Sequence, residues 1–142
     1  DKREAVKKKR TQYGGTAQIS RHAAALRMID QGIDPEGLGR WCWQLYRGKN
    51  NSLLRVITAY RPNFKDSAQF QTVYIKHRKR FLEQGQLQRE PRQALLDDLS
   101  QVIYEWKEAG EHIVLMMDAN EVLMLWALAI AMKSGRVEDF VF

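Results

Sequence analysis

The chain is expected to adopt an α/β fold, a mixed β-sheet flanked by helices, and three features of its sequence predict it. Arg40 to Arg47 and Leu53 to Tyr60 are rich in aromatic and β-branched residues and are separated by the turn-forming Gly48-Lys49-Asn50-Asn51. Two amphipathic stretches follow, over 67–85 and 91–110. Then Ile113 to Met117 runs apolar without a break and ends at Asp118-Ala119-Asn120. Strands, then helices, then a buried strand make a mixed α/β order.

Size and composition fit that class. A chain of 142 residues has room for one domain and buries roughly two thirds of its unfolded surface. With 44% hydrophobic and 28% charged residues it is expected to be globular rather than disordered. Cys42 is the single cysteine, which excludes an internal disulfide and a cysteine-based zinc cage. The first ten residues hold six Lys/Arg against two Asp/Glu, or +4 of the total +6. We expect 1–12 to be a flexible basic tail, able to touch phosphates or act as a nuclear address, and 13–142 to hold the domain. No apolar stretch follows the tail, so no signal peptide is visible and an intracellular location, nucleus or cytoplasm, is expected. Val122 to Met132 is too short for a membrane span, which needs about 20 apolar residues, and is read as a buried helix.

Taken in order, Tyr13 to Ser20 opens on Gly14-Gly15 and mixes apolar and polar residues as a short strand does. His22 to Ile29 has enough length for two helical turns, but Gly32, Pro35, Gly37 and Gly39 break any regular element, so most of 21–38 is expected to be loop. Arg40 to Arg47 and Leu53 to Tyr60 are expected to form an antiparallel hairpin, since Gly and Asn at its tip tolerate positive φ. Ser67 is positioned to cap a helix with Phe70, Val73, Tyr74, His77 and Phe81 on one face, ending near Gly85. Pro91 suits a first helical position, and Leu95, Leu99, Val102, Ile103 and Trp106 form the apolar stripe of a second helix, ending at Gly110. The run from His112 to Met117 lacks polar alternation, which predicts a central strand covered on both faces. The apolar helix and a final extended stretch, Val137 to Phe142, complete the order.

The chemistry is expected where that strand ends. A spacing of two sends the Asp118 carboxylate and the Asn120 amide to one side. A carboxylate there can take a proton from water or hold a magnesium ion, and an amide can donate to a phosphoryl oxygen. Both residue types also cap helices, so the pair alone does not define a site. Ala59-Tyr60-Arg61-Pro62-Asn63 is the second feature: the strand stops at a phenol, with a guanidinium beside it that can pair with phosphate. Arg40, Trp41, Trp43, Arg47 and Lys49 interleave basic and aromatic residues, a pattern that suits base stacking with phosphate contact and equally a tryptophan pair packed in the sheet. His77 lies on the apolar stripe of its helix and is read as a packed, hydrogen-bonded imidazole, and His112 as the start of its strand. No P-loop, zinc histidine pair or serine-hydrolase elbow appears.

Taken together, Gly14-Gly15, Gly39-Arg40-Trp41, Tyr60-x-Pro62-Asn63, Asp118-x-Asn120 and Arg136-Val137-Glu138-Asp139-Phe140 resemble, in order and interval, the endonuclease/exonuclease/phosphatase family. The tyrosine-x-proline-asparagine form looks most like its nucleic-acid-cleaving branch, with retrotransposon-type endonucleases the preferred relatives. The resemblance implies the central part of a two-sheet sandwich with helices on its outer faces, incomplete at both ends. It implies magnesium- or manganese-dependent hydrolysis of a phosphodiester, with DNA the expected substrate. Tyr60 would contact the scissile phosphate, Asp118 would activate water and serve as a secondary metal ligand, and Asn120 would orient water or phosphate. Arg61, Asn63, Arg40 and Lys49 are the candidate phosphate-binding residues.

Three parts of the family pattern are missing from this sequence, one of them a further asparagine on the family's first strand. The glutamate that chiefly binds the metal, on an earlier strand, has no counterpart, since Glu4 lies in a lysine-rich stretch. The closing serine-aspartate-histidine segment is absent too, and His22, His77 and His112 do not replace it. The isolated chain is therefore expected to have little or no nuclease activity, with flanking segments of the same polypeptide completing the domain. Two rival readings are a nucleic-acid-binding module in which Asp118 is only a cap, and a phosphatase acting on a small phosphodiester or phosphoinositide.

Overall fold

A computed structural model of the chain describes residues 15–64 and 72–120. The basic tail, Tyr13-Gly14, the Ser67 cap, the apolar run Val122 to Met132 and the stretch Val137 to Phe142 lie outside the described residues.

The elements run α1 (His22–Arg27), β1 (Met28–Ile33), β2 (Trp41–Arg47), a 3-10 turn (Lys49–Asn51), β3 (Leu53–Tyr60), α2 (Val73–Glu83), α3 (Pro91–Glu108) and β4 (His112–Asp118). The strands make one four-stranded sheet in the order β1-β2-β3-β4. The pairs β1/β2 and β2/β3 are antiparallel, and β4 runs parallel to β3. The fold is thus α/β with a mixed sheet flanked by helices. Among the described residues no helix is long and apolar enough to cross a membrane.

The hairpin forms as its sequence predicts. Trp41 stands opposite Ala59 and Arg47 opposite Leu53, and the tip turns through Asn50 and Asn51 at φ 56° and 58°. Thr72 caps α2 by accepting from the Ile75 amide at 3.3 Å, and Glu90 caps α3 by accepting from the Gln93 amide at 2.6 Å. Pro91 follows at the first helical position, where its missing N–H costs nothing.

Side chains alternate between the two faces of the sheet, and α3 covers one of them. Trp41, Ile57 and Ala59 meet Leu95 and Leu99 there, with Trp43, Trp106, Ile113, Leu115 and Met117 packed around them. Each fully buried leucine contributes about 1.5–3 kcal/mol through area removed from water. Arg55 belongs to the same layer: its guanidinium lies 4.0 Å from the Trp43 ring and 4.1 Å from the Trp106 ring, and donates to Glu111 at 2.7 Å. A buried cation persists because it is paired and stacked.

Four expectations need correction. Residues 15–20 form no strand among the described residues. Thr16, Gln18 and Ser20 turn towards the sheet, but they bond through side chains, as when Gln18 Nε2 donates to the Val56 carbonyl at 3.1 Å and to Thr58 Oγ1 at 2.9 Å. The stretch 21–38 is not mostly loop, since it holds α1 and β1. In β1, Gly32 is no breaker: a Cβ there would stand 2.5 Å from Trp43 Cζ2, so the indole needs bare backbone beside it. The true loop is 34–40, turning at Gly37 and Gly39 with φ 69° and 68°.

Third, β4 is an edge strand among the described residues and is covered on one face. Ile113, Leu115 and Met117 join the core, while Val114 and Met116 are 44% and 49% exposed on the other face. An unbroken apolar run records what each face tolerates, not what lies over it. Fourth, Arg40 is fully buried, which places it in the framework rather than at a phosphate-binding surface. It donates to Asp34 at 2.6 and 2.8 Å and to Asp98 at 2.7 Å, and Asp98 also accepts from Arg89. Burial opposes the charge on Arg40, but the hydrogen bonds and charges of Asp34 and Asp98 outweigh it and hold the guanidinium above the ordinary arginine range.

Candidate functional site at the sheet edge

Parallel pairing of β3 with β4 sets Tyr60 directly opposite Asp118. Cα partners in a ladder point their side chains to the same face, here the one opposite α3, because the intervening Ala59 and Met117 face the core. Tyr60 and Asp118 line a cleft of about 420 Å³ that also touches Gly15, Thr16, Thr58 and Met116. Gly15 and Tyr60 therefore reach the same place as the strand end, although residues 15–20 arrive there without joining the ladder.

One backbone bond and one side-chain bond lock the two strand ends together. The Arg61 amide donates to the Asp118 carbonyl at 2.9 Å, and Asn120 Nδ2 donates to the Arg61 carbonyl at 2.7 Å. The Asn120 amide donates to Asp118 Oδ1 at 3.2 Å, and Asn120 takes a left-handed φ of 46°, which asparagine tolerates better than most residues. Arg92, near the start of α3, donates to the Asn120 carbonyl at 3.2 Å. Asp118 is exposed, and Asn120 Nδ2 makes one bond among the described residues, leaving its second hydrogen for another acceptor there.

Not every sequence-predicted residue gathers here. Pro62 is buried and Asn63 exposed just past Tyr60, while Arg61 is 9% exposed and contributes its backbone to the edge. Lys49 sits at the hairpin tip, the full length of β3 away, or about 25 Å at the usual strand rise. Arg40 lies beneath the edge: its carbonyl accepts from the Tyr60 amide at 2.8 Å while its side chain holds Asp34 and Asp98. Trp41 is buried and Trp43 packs edge-on against Trp106 at 5.6 Å, so the tryptophans are packed in the sheet and face α3. His77 is buried and bonded to the Leu38 carbonyl at 3.2 Å, and His112 begins β4, as both were read. Arg92 escaped the sequence reading, because only the β3/β4 register brings the start of α3 to Asn120.

The donors at this edge are oxygen and amide groups, with Asp118 the carboxylate. Hard divalent ions favour oxygen donors, and magnesium is commonly held by one or two carboxylates together with substrate phosphate and water. Among the described residues no group of three His, Cys, Asp or Glu side chains is placed to hold a metal ion. Tyr60 offers a phenolic donor, Asp118 a proton acceptor and Asn120 an amide donor, a set suited to water attack on a phosphoryl centre. No protein-family model, curated protein or solved structure matches the chain.

Proposed function

We propose that this chain carries part of a divalent-metal-dependent phosphodiester hydrolase of the endonuclease/exonuclease/phosphatase type, with DNA as substrate and retroelement endonucleases as its nearest kind. One observation carries the reading: two motifs far apart in sequence, Tyr60-x-Pro62-Asn63 and Asp118-x-Asn120, meet in register at one open edge. A helix cap at Asp118 would not need Tyr60 opposite it.

In this reading Asp118 takes the proton from an attacking water and Tyr60 donates its hydroxyl to a non-bridging phosphate oxygen. Asn120, held by Arg61 and Arg92, gives its spare amide hydrogen to water or phosphate. A magnesium or manganese ion, with Asp118 as its one carboxylate among the described residues, would neutralise charge building on the phosphoryl oxygens when bound. The rest of a two-sheet sandwich would lie over the face that carries Val114 and Met116.

Manganese titration of the labelled chain, followed by amide NMR with a short DNA oligonucleotide present, tests the site. We expect paramagnetic broadening centred on Tyr60, Asp118 and Asn120, and its loss in Asp118→Ala. Broadening spread over unrelated acidic residues, or unchanged in the variant, refutes the site. Magnesium-dependent plasmid nicking by the 142-residue chain is expected to be weak or absent, because Asp118 is the one carboxylate that the described residues bring to this edge.

A further inference from the structure

Helix α2 turns Tyr74, His77 and Phe81 inward and leaves a basic outer surface. Lys76, Arg78, Lys79 and Arg80 fall within five consecutive positions, against Glu83 as the helix's only acid. Arg78, Lys79 and Arg80 are exposed, and among the described residues the side chains of Lys79 and Arg80 make no ion pair. Two exposed cations without an acidic partner among the described residues, with exposed Arg78 beside them, attract a polyanion.

Its position adds meaning to its charge. His77 fixes α2 to Leu38, and the same loop supplies the Arg40 carbonyl that holds the Tyr60 amide. Phe64, four residues past Tyr60, packs edge-on against Tyr74 at 5.1 Å. α2 therefore borders the end of the sheet that carries Tyr60 and Asp118, whereas Arg27, Arg47 and Lys49 cluster at the opposite end.

We infer that the exposed basic face of α2 is a binding surface for the phosphate backbone of duplex DNA, beside the Tyr60–Asp118 edge. The placement of the scissile phosphate rests on the hydrolase reading, but the binding does not. A membrane surface fits less well: an interfacial helix inserts an apolar face, and the apolar face of α2 is already buried in the protein.

The test measures fluorescence anisotropy of a labelled DNA duplex with the full 142-residue chain across a salt series. Lys79→Gln/Arg80→Gln is compared with Arg47→Gln/Lys49→Gln, which removes the same charge from the far end. Both pairs are exposed, so thermal unfolding should leave each variant folded. We expect the α2 pair to weaken binding about ten-fold at moderate salt and to lower the salt slope by about two, with a smaller change for the hairpin pair. Equal losses in the two variants, or no loss in the α2 pair, overturn the proposal. So does preferential binding to phosphatidylserine vesicles that the α2 pair abolishes while DNA binding persists. Because no cleavage is read, the outcome is independent of the hydrolase reading, which the manganese titration of Asp118→Ala tests separately.

Discussion

The two faces of the sheet use the same alternating strands for opposite ends. Towards α3, the buried cations are paired with carboxylates: Arg55 lies between Trp43 and Trp106 and meets Glu111, and beside that layer Arg40 meets Asp34 and Asp98. On the other face, Asp118 stands exposed, next to Tyr60, in an open cleft. Charge buried among partners stabilises a structure, and charge left with unmet capacity is available to a ligand. Substitutions on the two faces should therefore have effects of different kinds.

The largest effect is expected from Asp34→Ala, which removes one of the two partners of a fully buried Arg40. A buried charge stripped of a partner costs about 3–5 kcal/mol, to be read from the urea midpoint at constant slope. A loss below about 1 kcal/mol would mean that Asp98 alone suffices and that the face is less tightly coupled than its geometry implies. Gly32→Ala comes next. Its Cβ would press on a Trp43 ring already held by Arg55 and Trp106, so about 1–3 kcal/mol should be lost with a change in the near-ultraviolet tryptophan signal. Smallest of all is Asp118→Asn, expected to stay within about 0.5 kcal/mol of the parent because the side chain is exposed. A loss well above that would make Asp118 a structural cap and erase the contrast between the faces.

These residues also mark what can be read from sequence. Leu53 to Tyr60, Trp41 to Arg47 and the Pro91 helix start were legible because turn residues, β-branched runs and proline act locally. β1 was not, since Asp30, Gln31 and Gly32 have little strand preference and are held by their neighbour β2. The positions of the candidate residues were legible, since Tyr60 and Asp118 end their strands where short motifs placed them and Asn120 follows two residues on. Arg40 was misplaced because a basic residue beside tryptophan looks the same whether it faces solvent or a carboxylate. Its partners stand 6 and 58 residues away, and only the second distance needs the whole fold. Lys49 failed for a simpler reason: spacing along a hairpin does not say which end of the sheet carries the chemistry.

The parallel register of β3 and β4 has a consequence in time as well as in space. β2 and β3 are joined by a tight turn and can zip within microseconds, whereas β4 must wait for the two helices between it and β3 to collapse. Tyr60 and Asp118 are strangers until that late, non-local closure. A chain halted at the hairpin would have most of its antiparallel sheet and none of its cleft, so occupancy of the site would report the last step of folding rather than the first.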